Sequence, residues 1–184
     1  MIKGVIIGSF NPFHNAHMRQ IKIGMQYFDS LDIYVGKRKK KNRLPYKLRV
    51  ESVRKIIKSE NLGDYVKLVD SQKATDLDGL LYDGTICGSD IVNAVVSDDL
   101  WIRNKYKTYF STFLKIIVVN RENKPFNPMV YDILQDLILL DKVSPISSTQ
   151  IRKDVYDGIS VKDLIPEIVF QDVANNMHYF SCRP

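Results

Sequence analysis

The residues best suited to chemistry lie near the start of the chain, in the stretch GSFNPFHNAH at residues 8–17. Because an apolar run precedes it, the stretch predicts a turn between a strand and a helix. Gly8 lets the backbone approach a ligand, Pro12 restricts the turn, and the first amides of the following helix are free to bind an anion. His14 and His17 add side-chain donors. The stretch predicts a phosphate-binding site, although a histidine after a strand is also found as an ordinary polar residue.

A second segment with similar chemistry is ISSTQIR at residues 146–152. Either Ser147 or Ser148 can cap a helix whose first amides point at an anion. Thr149 adds a hydroxyl group, and Arg152 adds a planar guanidinium that can hold phosphate oxygens. The segment predicts a second phosphate-binding helix start. On its own it fits an ordinary capped helix with a surface arginine equally well.

An alternation of predicted strands and helices positions these motifs. Short apolar runs rich in β-branched residues predict strands over residues 2–7, 31–35, 66–69, 85–87 and 115–119. Helical periodicity predicts helices over residues 16–28, 46–57, 129–140, 148–156 and 166–175. The alternation indicates an α/β fold, a Rossmann-like doubly wound parallel sheet with a helical C-terminal portion. Ligands bind beyond the carboxyl ends of such strands, where His14 and His17 would lie.

The chain is long enough for one domain with a substantial core, since 45% of its 184 residues are hydrophobic and 26% are charged. We expect a single domain over residues 1–184, with the sheet core in 1–125 and a mainly helical part in 126–184. No apolar run approaches the roughly 20 residues of a membrane span, and no charged leader with a cleavage site precedes the first strand. We therefore expect an intracellular, cytoplasmic protein without a membrane partner, and leave a nuclear location open.

The net charge indicates what kind of partner the protein binds, and the cysteine spacing indicates whether it holds structural zinc. The net charge of +6 favours a partner carrying negative charge, whether a nucleotide, a nucleic acid or an anionic membrane surface. A basic run at residues 37–43 follows the second predicted strand, so it should lie at the same sheet edge as the histidines. Cys87 and Cys182 have no spacing suited to structural zinc, which favours free thiols.

Taken together, the two motifs resemble those of the nucleotidyltransferase superfamily marked by an HxGH-type sequence, in particular its nicotinamide/nicotinate mononucleotide adenylyltransferases. The resemblance continues along most of the chain. It includes the lysines 39–41 with Leu44, Pro45, Tyr46 and Arg49, the run Cys87-Gly88-Ser89-Asp90 with Leu100 and Trp101, the run Val118-Val119-Asn120-Arg121, and residues 161–169.

The resemblance implies that a phosphate oxygen of nicotinamide or nicotinate mononucleotide attacks the α-phosphorus of ATP. The products would be NAD or deamido-NAD and pyrophosphate, without a covalent enzyme intermediate. Such a reaction depends on positioning and positive charge more than on an acid or base. Mg²⁺ would take part, held by phosphates and water rather than by protein ligands.

The resemblance also implies a role for individual residues. Catalytic roles fall on His17, His14, Lys41 and Arg152. Residues expected to bind ATP are Gly8, Ser9, Phe10, Gly88, Asp90, Ser147, Ser148 and Thr149. Residues expected to bind the mononucleotide are Ser9, Phe10, Leu100, Trp101 and Arg121, with Trp101 stacking on the pyridine ring. We expect His17 to be exposed, so that its loss would affect folding little.

The chain departs from the family pattern at two places. Ala16 stands where the bacterial signature has glycine, and residues 71–78 lack the second aromatic of the pyridine pocket. The choice between amidated and acidic pyridine therefore stays open. So do adenylyl or cytidylyl transfer to another phosphorylated acceptor, and a non-catalytic nucleotide- or RNA-binding relative.

Two observations weigh against these alternatives. The second motif differs from the Arg-Thr-x-Gly-Ile-Ser version of the cytidylyltransferases, and the basic run lacks interleaved aromatics for stacking bases. Nucleic acid is therefore not the expected partner. The number of subunits stays open, and a homo-oligomer is compatible with the sequence.

Overall fold

The computed structural model describes residues 1–37, 43–69, 82–143 and 145–180. Within these ranges the strands are β1 (Lys3–Gly8), β2 (Ser30–Val35), β3 (Val66–Val69), β4 (Gly84–Gly88), β5 (Lys115–Arg121) and β6 (Leu137–Val143). The α-helices are α1 (Asn15–Tyr27), α2 (Tyr46–Ser59), α3 (Ser89–Val92), α4 (Leu100–Phe110), α5 (Ser148–Tyr156) and α6 (Glu167–Asn175). Short 3₁₀ turns cover Asn93–Val96, Pro128–Asp132, Lys162–Leu164 and Met177–Phe180.

The strands form one parallel sheet in the order β3-β2-β1-β4-β5-β6. The chain builds outward from β1 to β3 and then returns to place β4 on the other side of β1. The carboxyl ends of β1 and β4 therefore flank the switch point at which ligands bind in open α/β sheets. The predicted doubly wound parallel sheet is confirmed.

Alternate residues of the strands supply two apolar layers, one on each side of the sheet. Ile6, Ile33 and Ile117 belong to the larger core cluster, which also holds buried residues of α1, α2, α5 and α6. Ile116 and Val118 belong to a smaller cluster with residues from the α3–α4 region. Because strand side chains alternate between faces, a near-continuous apolar strand such as β5 must be buried on both.

The helix predicted over residues 129–140 is wrong. The chain there makes a 3₁₀ turn, passes through Asp136 at φ 54°, and continues as β6, which pairs with β5. A short apolar run such as Leu137-Ile138-Leu139-Leu140 suits a strand as well as a buried helix. Pairing with β5 decides between strand and helix. Without β6, strand β5 would lie at the edge of the sheet and its outer backbone groups would lack hydrogen-bond partners from the sheet.

The region after residue 125 therefore contributes a strand as well as helices. The helices predicted over residues 148–156 and 166–175 are confirmed as α5 and α6. The assignment of the whole chain to one domain stays a prediction. In the described ranges, no helix is both long enough and apolar enough to cross a membrane.

Candidate active site

The turn after β1 occupies the switch point of the sheet. Phe10 lies in it with φ 45° and a buried ring, and residues Asn11 and Pro12 are joined by a cis peptide bond. A Cβ atom on Gly8 would lie 2.8 Å from the Phe10 ring. The Phe10 ring thus occupies the space that a side chain at residue 8 would need. Contacts of Gly8, Ser9 and Phe10 with phosphate stay predictions.

His14 and His17 are stacked on each other at the start of α1, with ring centroids 3.6 Å apart. The backbone N–H of His14 donates to Nδ1 of His17 at 3.2 Å. Since Nδ1 of His17 accepts a hydrogen bond, the proton of the neutral ring is on Nε2, which can donate to a ligand. Nδ1 of His14 is buried and has no hydrogen-bond partner among the described residues.

Both histidines are neutral at physiological pH. Burial lowers the pKa of His14 to about 3, and the charge of Arg121 contributes to the shift. Burial also lowers the pKa of His17 well below its ordinary value, assisted by His14 and Arg121. The expected exposure of His17 is wrong, because the side chain packs against Phe10 and Phe13 and the residue is 8% exposed.

The second motif forms the N-terminus of α5, as predicted. Ser147 caps the helix, because its Oγ accepts from the Gln150 backbone N–H at 3.1 Å. Ser148 begins the helix, and its Oγ donates to the carbonyl of Pro12 at 3.2 Å. This contact joins the second motif to the first, although they are far apart in the sequence.

Arg152 makes the closest connection between the motifs. Its Nη1 donates to the carbonyls of Asn11 at 2.9 Å and Ser148 at 3.0 Å, and its Nη2 donates to Thr149 Oγ1 at 3.1 Å. Its Nε is buried without a partner in the described part of the chain. Burial lowers the pKa of Arg152, and the nearby charge of Arg43 lowers it further.

Gly88, Asp90 and Arg121 form a third group at the carboxyl end of β4. Arg121 Nε lies 3.0 Å from Asp90 Oδ1. A Cβ atom on Gly88 would lie 2.4 Å from that oxygen and 2.5 Å from Arg121 Nε, so any other residue here would displace the ion pair from this geometry. The structure thus pairs a residue assigned to ATP with one assigned to the mononucleotide.

Leu100 and Trp101 begin α4 and are 63% and 70% exposed. Trp101 is therefore not part of the core, and Lys105 Nζ lies 5.0 Å from the centroid of its ring. Because α4 leads back to the start of β5, its first turn lies toward the same sheet edge as the histidines. Stacking of Trp101 on a pyridine ring stays a prediction.

Two further residues hold the turn, and the sequence motifs did not assign them this role. Arg49 is 2% exposed and donates to the carbonyls of Ser9 at 2.6 Å, Gly36 at 2.8 Å and Leu44 at 3.0 Å. Asn11 Oδ1 accepts from the Leu44 backbone N–H at 2.8 Å. The sequence did contain a signal for the role of Arg49. Its spacing from Val53 and Ile56 puts a charged residue on the apolar, buried face of α2, where it needs hydrogen-bond partners.

Some predicted features lie outside the described residues. These are Lys41 with its neighbours Lys39 and Lys40, and the segment at residues 71–78 where the second aromatic is missing. Their roles stay predictions.

The fold and the joined motifs define a nucleotidyltransferase-like protein, and the chain belongs to the cytidylyltransferase-like family. The family model matches residues 5–154, a range that includes both motifs and ends just after Arg152. A search of curated proteins returned no match.

The structure is similar to that of Plasmodium falciparum nicotinic acid mononucleotide adenylyltransferase. The complex with NaAD gives a TM-score of 0.75 at 19% identity, covering 97% of this chain and 98% of that one. The complex with APC gives a TM-score of 0.74 at 17% identity, covering 96% of each chain. The likeness extends over both chains almost end to end.

Proposed function

We propose that this protein transfers the adenylyl group of ATP to nicotinate mononucleotide, forming deamido-NAD and pyrophosphate. The observation that carries the proposal is the contact between the two motifs, in which Arg152 and Ser148 of α5 bind the turn that leads to His14 and His17. One wall of the site is thus built from neutral histidine donors and the other from a guanidinium and a helix N-terminus.

The charge balance of the site supports a polyanionic substrate. Arg49 and Arg152 are bound to carbonyl and hydroxyl oxygens. Neither forms an ion pair with a carboxylate among the residues that the structure describes. A partly buried guanidinium without a counter-ion is stabilised when an anion binds beside it. The triphosphate of ATP would provide that anion.

These residues perform the transfer by holding phosphates. A phosphate oxygen of the acceptor attacks the α-phosphorus, the bond to the β-phosphate oxygen breaks, and pyrophosphate leaves with the negative charge. Nε2–H of His17 donates to a phosphate oxygen without needing to be protonated further. Arg152, Thr149 and the first amides of α5 bind the departing phosphates, where charge accumulates in the transition state.

ATP enters this reaction as its magnesium complex. The described residues include no group of three or more histidine, cysteine, aspartate or glutamate side chains arranged to hold a metal. Phosphate oxygens and water are the ligands that Mg²⁺ retains in such complexes. The donors at the site, namely imidazole N–H, guanidinium and backbone amides, suit phosphate oxygens rather than a cation.

The choice of nicotinate over nicotinamide mononucleotide is supported by the Plasmodium falciparum protein of similar fold. That one protein is complexed with NaAD in the first structure and with APC, an ATP analogue, in the second. A cytoplasmic location stays a prediction from the sequence, and the number of subunits stays open.

The test is to incubate the protein with ATP, magnesium and either mononucleotide, and to follow both pyrophosphate and the dinucleotide. We expect deamido-NAD to form faster than NAD. ATP with phosphopantetheine, and CTP with phosphocholine, serve as matched alternatives. Absence of product with both mononucleotides, in protein that binds ATP, would refute the proposal, as would faster turnover of either alternative pair.

A further inference from the structure

The hydroxyl of Ser89 closes the turn that follows β5. Its Oγ accepts from the Arg121 backbone N–H at 2.9 Å and donates to the Lys124 carbonyl at 2.6 Å. The backbone N–H of Lys124 in turn donates to the Arg121 carbonyl at 3.2 Å. Ser89 is fully buried, and a buried hydroxyl that both donates and accepts fixes two backbone groups at once. We call Ser89 with these two contacts the Ser89 bridge.

The residue next to Ser89 holds the side chain of the same arginine. Asp90 Oδ1 lies 3.0 Å from Arg121 Nε. Two consecutive residues at the start of α3 thus fix the backbone and the guanidinium of Arg121. In the described part of the chain, no residue accepts a hydrogen bond from its terminal nitrogens, Nη1 and Nη2. Those two nitrogens can donate to an anion that binds beside them.

Arg121 and Arg152 reach the carboxyl edge of the sheet from its two faces. Ile151 and Val155 of α5 pack in the larger core cluster, whereas Val92 of α3 packs in the smaller cluster on the other face. The charge of Arg121 also contributes to the lowered pKa of both histidines of the first motif, after the larger effect of burial.

The two arginines therefore suit different phosphates. In an in-line transfer, the attacking and leaving oxygens lie on opposite sides of the α-phosphorus. Arg152, with the first turn of α5, is assigned to the leaving pyrophosphate. Arg121, held from the other face, is left for the phosphate that attacks.

We propose that Ser89 is a positioning residue, which holds Arg121 through the Ser89 bridge so that the terminal nitrogens of this arginine meet the phosphate of the mononucleotide acceptor. The inference rests on the proposed function in taking a pyridine mononucleotide as the acceptor. Ser89 does not touch the substrate. It removes freedom from the turn before the substrate binds, so that less order has to be gained on binding.

The test is a comparison of Ser89→Ala with Ser52→Ala. Ser52 of α2 is 1% exposed, and its Oγ also has two partners, the Leu48 carbonyl at 3.0 Å and Asp172 Oδ2 at 3.1 Å. Both changes remove a buried hydroxyl with two contacts, so both should lower the melting temperature by similar amounts. We expect the Kd of nicotinate mononucleotide, measured by calorimetry, to rise about five- to tenfold in Ser89→Ala and less than about twofold in Ser52→Ala. Equal Kd values in the two variants would overturn the role of Ser89.

Two further ligands locate the contact. Nicotinate riboside lacks the phosphate, so its Kd should be nearly the same in Ser89→Ala and Ser52→Ala. The Kd of α,β-methylene-ATP, which does not transfer its adenylyl group, should likewise differ little between them. Equal losses for the riboside and the mononucleotide would overturn the assignment of Arg121 to the acceptor phosphate, as would a loss confined to the ATP analogue.

Dependence on Arg121 is tested by repeating Ser89→Ala in an Arg121→Gln background. Arg121→Gln alone should weaken binding of the mononucleotide at least as much as Ser89→Ala does, since it removes the guanidinium. Adding Ser89→Ala should then change Kd little, because both changes act on one contact. A full further loss in that background would contradict the Ser89 bridge. If thermal melts show that Ser89→Ala does not fold, Ser89→Cys, which has a similar size and a weaker hydrogen-bonding group, takes its place.

These measurements separate the inference from the proposed function, because binding of the mononucleotide requires neither ATP nor turnover. Weaker binding in Ser89→Ala, with Ser52→Ala unchanged, supports the inference even if no dinucleotide forms. Dinucleotide formation together with equal binding in the two serine variants supports the function and rejects the inference. Unmodified protein that does not bind the mononucleotide would overturn the inference as well.

Discussion

Arg152 donates from Nη1 to the backbone carbonyl of Asn11 at 2.9 Å, joining residues that are 141 positions apart in the chain. Asn11 belongs to the turn after the central strand, and Arg152 belongs to the first turns of α5. Each motif alone fits an ordinary strand end or helix start. Their direct contact makes them two walls of one site, which is why the predictions below concern residues from both.

Arg152→Gln should reduce kcat by about 100-fold or more, because it removes charge at the position where the leaving pyrophosphate gains it. Lys153→Gln is the matched control, since Lys153 is the exposed neighbour on the same helix. Steady-state pyrophosphate release compares the two. Equal kcat values in both variants would show that Arg152 supports the turn without acting on the reaction.

His17→Ala should reduce both turnover and stability. Turnover should fall by about 100-fold or more because a phosphate donor is lost. The free energy of unfolding should fall by about 1 to 3 kcal/mol because the ring packs between Phe10, Phe13 and His14. His17→Gln, which keeps an N–H donor, should recover part of kcat. Urea unfolding and initial rates measured on the same preparations distinguish the two effects.

The two buried histidines should make stability depend on pH. Their pKa values are lowered in the folded state, so the unfolded chain binds protons more readily. The stability they contribute is fully present above the unfolded pKa near 6.5 and is lost as the pH falls toward the folded pKa of each ring, which is about 3 for His14. The loss should approach about 1.4 kcal/mol per pH unit for each histidine. Unfolding in urea from about pH 7.5 to 5 measures this slope.

His14→Asn should lower that slope relative to the unmodified protein. The same variant serves in the test of activity. Since neutral rings donate the hydrogen bonds, kcat/KM of the unmodified protein should show no histidine ionisation between about pH 6 and 8. A sigmoidal rise or fall in that range, absent in His14→Asn, would contradict neutral histidines at the site.

Trp101→Ala should raise the KM for the mononucleotide and leave the KM for ATP nearly unchanged, because loss of a stacking platform weakens binding of the pyridine ring. The melting temperature should change little, since the side chain is largely exposed. Trp101→Phe keeps an aromatic face and should retain most of the affinity. If only the KM for ATP changes, Trp101 contacts ATP and its assignment to the mononucleotide is wrong.

Gly88→Ala should weaken the pairing of Asp90 with Arg121, because the added Cβ would lie 2.4 Å from Asp90 Oδ1. We expect higher KM values for both substrates and a lower melting temperature. Gly63→Ala is a matched control, since a Cβ there meets nothing within 4 Å. Similar kinetics in the two alanine variants would show that the ion pair does not contribute to binding.

The sequence by itself determined the features that depend on nearby residues. Apolar periodicity placed β1 to β5 and the helices α1, α2, α5 and α6 to within a few residues. The serine cap and the motif spacing placed the helix start at Ser147–Arg152 and predicted phosphate binding there and at Gly8–His17, since a cap and a helix N-terminus are local structures.

Only the tertiary structure decided the features that depend on distant partners. The run Leu137–Val143 is a strand because β5 offers it a neighbour, which no local pattern encodes. His17 is buried because Phe10 and Phe13 pack against its ring. Arg49 and Asn11 became part of the site because packing brings Leu44 and Arg152 against one turn. Such hydrogen bonds join segments far apart in sequence and form only once the sheet has brought those segments together. Local sequence patterns therefore do not encode which residues become partners.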